Sequence, residues 1–156
     1  MPLAQTLAGK LNAAQIDGTV VSAAENGDRL LVRVDQAGAL ALSLFELRLE
    51  TDKLTAAPMP HVKQVATQLT EKITYLLEPI CPVESDAEAC VVQLRSTKPQ
   101  QGVEGVCYYE LLVKTGGAIG LCRYEKAKGA LRREVAMNLT KEVVTRLAAD
   151  FLAAVD

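Results

Sequence analysis

The densest group of side chains that could do chemistry lies in residues 123–133, RYEKAKGALRR. Its basic residues surround Gly129 and directly precede an apolar pattern typical of a helix; they are Arg123, Lys126, Lys128, Arg132 and Arg133. A helix amino terminus has unpaired N–H groups and the positive end of the helix dipole, so it can bind an anion. The segment is therefore a candidate site for a phosphate or an acidic peptide, in a cleft shared with Tyr109. The alternative is a solvated connection whose charge serves solubility.

The residues that other kinds of catalytic site require are mostly missing from the sequence. His61 is the only histidine, so one chain cannot supply a two-histidine metal site or acid–base pair, and we expect a surface residue there. No serine has the Gly-x-Ser-x-Gly surroundings of a nucleophile elbow. The GVEGV stretch at 102–106 lacks the full dinucleotide-binding pattern and is predicted to be a flexible hairpin. We therefore expect no catalytic residues, no metal and no cofactor.

The cysteines are spaced too widely for a Cys-x-x-Cys pair: Cys81, Cys90, Cys107 and Cys122. In a reducing compartment such residues behave as small buried hydrophobic side chains. A four-thiolate zinc site would need shorter spacing between its ligands. Cys107 and Cys122 flank a Thr-Gly-Gly turn at 115–117 and are expected on neighbouring strands, where a disulfide is a minor alternative.

Composition restricts the classes of partner. The chain of 156 residues is predicted to form one domain, and its hydrophobic content of 49% with 23% charged residues is ordinary for a globular protein. A net charge of −2 gives no strong field towards nucleic acid or an acidic membrane surface. No apolar run approaches the ~20 residues that span a bilayer. The amino terminus is periodic rather than continuously apolar, which predicts a cytoplasmic protein.

Apolar residues at three- and four-residue intervals predict helices over 3–15, 60–78 and 131–154. Pro58 and Pro60 suit the start of the second helix, because the N–H groups of a first helical turn have no partner in any case. Alternation predicts strands in the segments between, and the Asn26-Gly27 pair predicts a tight type I′ hairpin turn.

The segment ALALSLFELRLE, at 39–50, changes the parity of its apolar residues near Leu44 and Phe45. A β-bulge there would keep a single buried face, and a strand buried on both faces near its middle is the alternative. The same change of parity recurs at 118–125, between Leu121 and Cys122.

Two segments of the chain, VATQLTEKITYLL at 65–77 and VAMNLTKEVVTRL at 135–147, are nearly the same. Together with the matching order of strands and turns before them, they predict an internal duplication with repeats 17–79 and 80–156. The predicted fold is therefore α+β: a single domain with a mainly antiparallel sheet of about six strands, covered by two long helices, with a short amino-terminal helix.

The element order resembles the type III secretion chaperone fold and its YbjN-like relatives. The resemblance is carried by the helix with Leu3, Leu7 and Leu11, the meander at 19–50, the helix at 60–78 and the closing helix at 131–154. It implies a homodimer that binds a protein segment. The mild net charge and the apparent repeat depart from that family's pattern.

The leading functional prediction is a non-enzymatic, chaperone-like or protein-binding homodimer that associates through an exposed sheet face or a helix stripe. Four residues widen the apolar stripe of the closing helix beyond what one sheet contact needs, and we expect them to form a dimer or partner surface: Ala136, Val144, Ala148 and Leu152. The alternative is a protein that binds a small ligand or anion, possibly as an enzyme, at the basic segment 123–133. Neither nucleic acid nor membrane is expected as a partner.

Overall fold

The computed structural model describes residues 2–96, 100–101 and 105–156, and shows one α+β unit. The GVEGV segment falls largely outside these residues. Three helices lie on one face of an antiparallel sheet. The helices are α1 (Leu3–Leu11), α2 (Met59–Lys72) and α3 (Lys141–Val155), with a short 3-10 turn at Asp52–Leu54. The strands are β1 (Val20–Glu25), β2 (Asp28–Ala37), β3 (Ala41–Thr51), β4 (Ile80–Asp86), β5 (Val91–Ser96), β6 (Gln100–Gln101), β7 (Val106–Lys114), β8 (Ala118–Lys126), β9 (Arg133–Val135) and β10 (Met137–Thr140).

The sheet has more strands than the sequence predicted. Its main order is β1-β2-β3-β8-β7-β5-β4, and the short strands pair beside it, β10 with β3, β9 with β8 and β6 with β7. Strand β4 was missed because Pro82 interrupts its pattern, and a proline is tolerated only where a strand lies at an edge. The central pair is β3 with β8, so each half of the chain contributes one side of the sheet.

A single hydrophobic core lies between the sheet and the helices. Helix α1 packs on β1, α3 on β3, and α2 on β5 and β4, with α3 between the other two helices. Alternate residues of the longer central strands point into this core, for example Leu30, Val32 and Val34 of β2. The remaining residues of each strand face the other side, which we call the helix-free face. Period-2 alternation therefore separates the two faces as expected for a sheet covered on one side.

The predicted β-bulge in β3 is confirmed. Arg33 lies opposite Glu46 and Val34 lies opposite Leu44, so Phe45 is the extra residue. The bulge keeps both halves of β3 facing the same core, because one additional residue restores the parity of the buried leucines.

The corresponding parity change in β8 has a different cause. The β7–β8 register runs without a shift from Val106 to Lys114, so β8 contains no bulge in that pairing. Cys122 and Tyr124 instead lie on the helix-free face, while Arg123 takes the core-side position between them. The apolar residues of β8 therefore serve both faces of the sheet.

Two predicted turns are confirmed. Asn26 and Gly27 have φ angles of 50° and 84° and join β1 to β2, as a two-residue type I′ turn requires. Thr115-Gly116-Gly117 joins β7 to β8. In both turns, positive φ allows the strands to pair up to the last residue.

One predicted boundary is clearly wrong in each of the three helices: the carboxyl end of α1 and of α2, and the start of α3. Helix α1 ends at Leu11 and α2 at Lys72, although Pro60 lies in the first turn of α2 as predicted. Helix α3 starts at Lys141 rather than 131, because the preceding residues pair with β8 and β3 as β9 and β10. The Thr140 hydroxyl accepts a hydrogen bond from the Val143 N–H and caps α3. A threonine followed by Glu142 in the first turn was the sequence signal for this start.

The alignment behind the predicted duplication fails at its helices. Val65 and Leu69 lie in α2, whereas their counterparts Val135 and Leu139 lie in β9 and β10. Similar spacing produced the match because valine and leucine suit a helix face and a strand face alike.

The wide apolar stripe of α3 is covered by the chain itself. Helix α1 packs against α3, and Val144 and Ala148 have no exposed surface. These two residues therefore lie in the core and not on a partner surface, contrary to the prediction. Ala136 lies between β9 and β10 and, like Leu152, is half-buried.

The tight turn between β7 and β8 gives a test of the fold. Gly116 and Gly117 both have positive φ, but only a Cβ on Gly117 would meet the Thr51 carbonyl oxygen, at 2.9 Å. Gly117→Ala should lower the free energy of unfolding by about 2–3 kcal/mol and Gly116→Ala by about 1 kcal/mol, measured by urea denaturation. Equal losses would contradict the close approach of the turn to β3.

Candidate functional site

The basic segment predicted as an anion site is a hairpin between β8 and β9, not the start of a helix. Arg132 binds Glu110 through both terminal nitrogens, Arg133 binds Glu125, and the Lys126 ammonium donates to the Ala130 carbonyl oxygen. Lys128 is exposed at the turn. The helix dipole that motivated the prediction is absent from this segment, because α3 starts at Lys141.

Arg123 and Tyr109 lie on the core side of the sheet, away from Arg132. The Arg123 Nη2 is 2.9 Å from the Glu78 Oε2, and Glu78 is buried while the Arg123 side chain is 13% exposed. The guanidinium lies 4.5 Å from the centre of the Tyr109 ring. Burial raises the pKa of Tyr109 above its usual value. Glu78 was not predicted, and it makes Arg123 part of a buried structural ion pair.

The helix-free face carries the larger polar constellation, and Glu110 is its centre. This carboxylate is only 3% exposed although no helix covers it. The Gln93 side-chain amide donates to it at 2.8 Å, Arg132 binds it, and an Arg95 nitrogen lies 3.6 Å away. Charged and amide donors on neighbouring strands thus compensate a buried charge without apolar cover.

Two tyrosines and two arginines stack around Glu110. The Arg95 guanidinium lies 4.8 Å from the Tyr108 ring centre, and the Arg132 guanidinium lies 3.9 Å from that of Tyr124. The two rings are 6.1 Å apart. Burial raises the pKa of Tyr124 to about 12. We call these five residues the Tyr–Arg cluster; stacking and ion pairing hold its side chains in fixed positions.

A furrow runs along β8 on the helix-free face and ends at the Tyr–Arg cluster. Its floor consists of small residues, Ala118, Gly120 and Cys122, and its walls are longer side chains of β3 and β7. The walls are formed by Glu46, Arg48, Glu50, Glu110, Leu112 and Lys114. We call this the β8 furrow.

The β8 furrow is shallow at the centre of the sheet and wider at its end. A cavity of about 80 Å³ lies over Gly120, and one of about 540 Å³ lies at the converging turns, with Arg48 and Ala118 lining both. A Cβ on Gly120 would come within 3.3 Å of the Glu46 carboxylate, so the glycine helps to keep the furrow open. Small side chains on a central strand thus leave a shallow depression in the helix-free face.

Some charged side chains along the β8 furrow have ion-pair partners and others do not. Glu46 is paired with Arg33, as Glu110 is with Arg132. Among the described residues Lys114 has no ion-pair partner, and Arg48 reaches Glu50 only at 3.6 Å. Lys114 lies beside the cavity over Gly120 and is therefore available to an added carboxylate. The wide end carries more acidic than basic side chains, namely Glu25, Asp28, Glu50 and Asp52 against Arg29 and Arg48.

Cys107 and Cys122 have little nucleophilic character in this arrangement. Burial, and then the neighbouring Glu46, raises the pKa of Cys122 to about 12, and burial likewise raises the pKa of Cys107. All four thiols are free. Cys107 and Cys122 lie on adjacent strands, as predicted, but opposite Glu125 and Glu110 rather than each other.

A metal centre finds no support in the part of the chain that is described, where no group of at least three His, Cys, Asp and Glu side chains could hold an ion. His61 is half-buried in the first turn of α2.

Sequence reasoning missed the site because its residues lie far apart in the chain. Arg95, Glu110 and Arg132 come from β5, β7 and the β8–β9 hairpin. Arg95 and Glu110 occupy polar positions of alternating strands, which predicts only that they face away from the core. Strand order and register then bring the three together.

The burial of Glu110 can be tested by neutralising it. Glu110→Gln should lower the free energy of unfolding by about 1–3 kcal/mol, because it leaves Arg95 and Arg132 without their common carboxylate. Glu50→Gln is the matched control: Glu50 also contacts two arginines, but is 41% exposed and should cost less than about 1 kcal/mol. Comparable losses in chemical denaturation would show that the cluster contributes no more than a surface pair.

Thiol reactivity tests the environment of β8. A thiol with a pKa of about 12 is almost entirely protonated at neutral pH. Alkylation with iodoacetamide, followed by mass spectrometry of each peptide, should therefore modify Cys122 at least about tenfold more slowly than the half-exposed Cys90. Equal rates in the folded protein would contradict the burial of Cys122 between carboxylates.

In the described residues, none of the three helices is both long and apolar enough to cross a membrane. Comparison of the chain with protein-family models, with curated proteins and with solved structures found no match.

Proposed function

We propose that this chain is a non-enzymatic protein-binding module, and that its helix-free face binds an acidic, extended segment of a partner protein. The observation that carries the proposal is the β8 furrow, which combines a floor of small residues with the unpaired Lys114 and the weakly paired Arg48 beside Gly120. The segment would lie along β8 from the Gly116-Gly117 turn towards Tyr124.

The packing of the helices against each other supports this choice of surface. Because α1 fills the apolar stripe of α3, that stripe cannot receive a partner. The sheet face, the other surface predicted for association, is left without a helix from this chain.

The residue types of the helix-free face also support a protein partner. Tyrosine and arginine are enriched at the energetically important positions of interfaces. In the Tyr–Arg cluster these side chains are already ordered by Glu110, so binding would lose less side-chain entropy than it would with free arginines. The cluster would form a rigid wall at the narrow end of the furrow.

The predicted homodimer is proposed for the same face. Both sheet edges are protected: the Lys10 ammonium binds the Ser22 carbonyl oxygen of β1, and β4 has Pro82 and a bulge at Val83. Lysine, proline and bulges at an edge disfavour pairing with another strand. A second copy would therefore meet the helix-free face and compete there with the partner segment.

The internal duplication is retained as a proposal on topology alone. About the central β3–β8 pair, β2 corresponds to β7, and each strand pair precedes a helix, α2 or α3. Such an arrangement is expected when a strand-and-helix unit is duplicated and the copies share one sheet.

The anion-site alternative has less support. Arg123, Arg132 and Arg133 each bind a glutamate, so their charge is largely neutralised within the chain. The raised pKa of Cys122 and of Cys107 also disfavours a thiolate nucleophile. We therefore place the partner on the furrow and not on the hairpin.

Charge reversal distinguishes the two surfaces. A fluorescein-labelled peptide of alternating glutamate and serine should bind the protein at low salt and weaken as salt screens the charges, followed by fluorescence anisotropy. Arg48→Glu/Lys114→Glu should weaken binding by at least about tenfold. The control Lys126→Glu/Lys128→Glu makes the same charge change on the hairpin and should alter it by less than about twofold.

Failure of the peptide to bind, or a greater loss in the hairpin variant, would overturn the proposed surface. The dimer is tested separately by sedimentation equilibrium, where a monomer mass at micromolar concentration would remove it from the proposal.

A further inference from the structure

A second groove lies on the opposite side of the molecule, between α2 and the edge strand β4. Its cavity of about 360 Å³ is lined by Lys63, Ala66, Thr67, Pro82, Val83, Glu84, Ser85 and Val92. The groove exists because α2 presents the small Ala66 here, and because the bulge at Val83 bends β4. The volume is within the range of ligand sites and is large enough for one or two apolar side chains.

The walls of this groove are mainly apolar and partly exposed. Val83 is 55% exposed, although large aliphatic side chains are usually buried. Val92 and Ala66, at the bottom of the groove, are buried. An apolar side chain inserted here would cover Val83 and complete the contact between α2 and β4.

The rim of the groove carries two opposite charges. Lys63 projects from α2 and Glu84 belongs to β4, and among the described residues no ion pair involves either. A small apolar molecule would form no ion pair with either side chain. A polypeptide can supply a carboxylate, an apolar side chain and an ammonium or guanidinium in sequence.

We propose that the α2–β4 groove binds an extended polypeptide segment whose apolar residue enters the groove between an acidic residue at Lys63 and a basic residue at Glu84. Pro82 and the bulge interrupt β4 as a template for a further strand, so side chains and not a backbone ladder hold the segment. This surface is independent of the β8 furrow and differs from it in charge.

A phage-displayed library of random peptides, selected on the wild-type protein, tests this assignment. The enriched peptides should place an apolar residue between an acidic and a basic one. A synthetic peptide of the enriched sequence should bind Val83→Arg at least about tenfold more weakly than wild type in isothermal titration calorimetry. Val20→Arg is the matched control, because Val20 is 58% exposed at the opposite edge of the sheet, and it should change the affinity by less than about twofold.

A charge exchange provides a second readout that a folding defect cannot imitate. Lys63→Glu/Glu84→Lys should prefer the peptide with its acidic and basic residues exchanged over the original peptide. Enrichment of no common pattern, equal binding to Val83→Arg, or tight binding of decanoate in place of any peptide would overturn the assignment. Loss of the acidic peptide at the β8 furrow, with binding retained here, would overturn only the proposed function.

Discussion

The structure depends on one constraint: only one face of the broad antiparallel sheet is apolar, and that face must be covered. Three helices satisfy that face, and α3 lies between α1 and α2 so that all three share a core with the strands. Burial of aliphatic surface stabilises this side, at about 25 cal/mol per Å² removed from water. The helix-free face has no such cover and needs another source of order.

That order comes from cross-strand polar contacts. Glu110 is the clearest case, since amide and guanidinium groups from neighbouring strands surround a carboxylate that would otherwise be costly to bury. Arg33 has the same role towards Glu46 and Glu134 across β2, β3 and β9. The small residues of β8 interrupt this layer of long side chains, and the β8 furrow lies above them. The two proposed binding surfaces thus have one origin: the places where neither helix nor ion pair fills the space beside the sheet.

Local rules predicted the parts of the fold that local forces decide. Asn26 and Gly27 specify a type I′ turn through their tolerance of positive φ. The leucine parity of β3 allowed either a bulge or a strand buried on both faces, and the pairing with β2 shows the bulge. Residues 133–140 show where such rules stop. Their apolar spacing fits a helix as well as a strand. They form strands because β3 and β8 provide backbone hydrogen-bond partners for β10 and β9.

The sequence by itself determined the α+β class, the one-sided alternation of its strands and the tight turns, since these follow from the side-chain period and from backbone sterics. Tertiary structure decided which polar residues meet. Arg95, Glu110 and Arg132 come together only because β5, β7 and β8 are neighbours in a particular register. Arg123 is kept apart from Tyr124, on which Arg132 stacks, because alternate residues of β8 face opposite sides. Contacts between residues distant in the chain depend on strand order and register, which no local pattern in the sequence specifies.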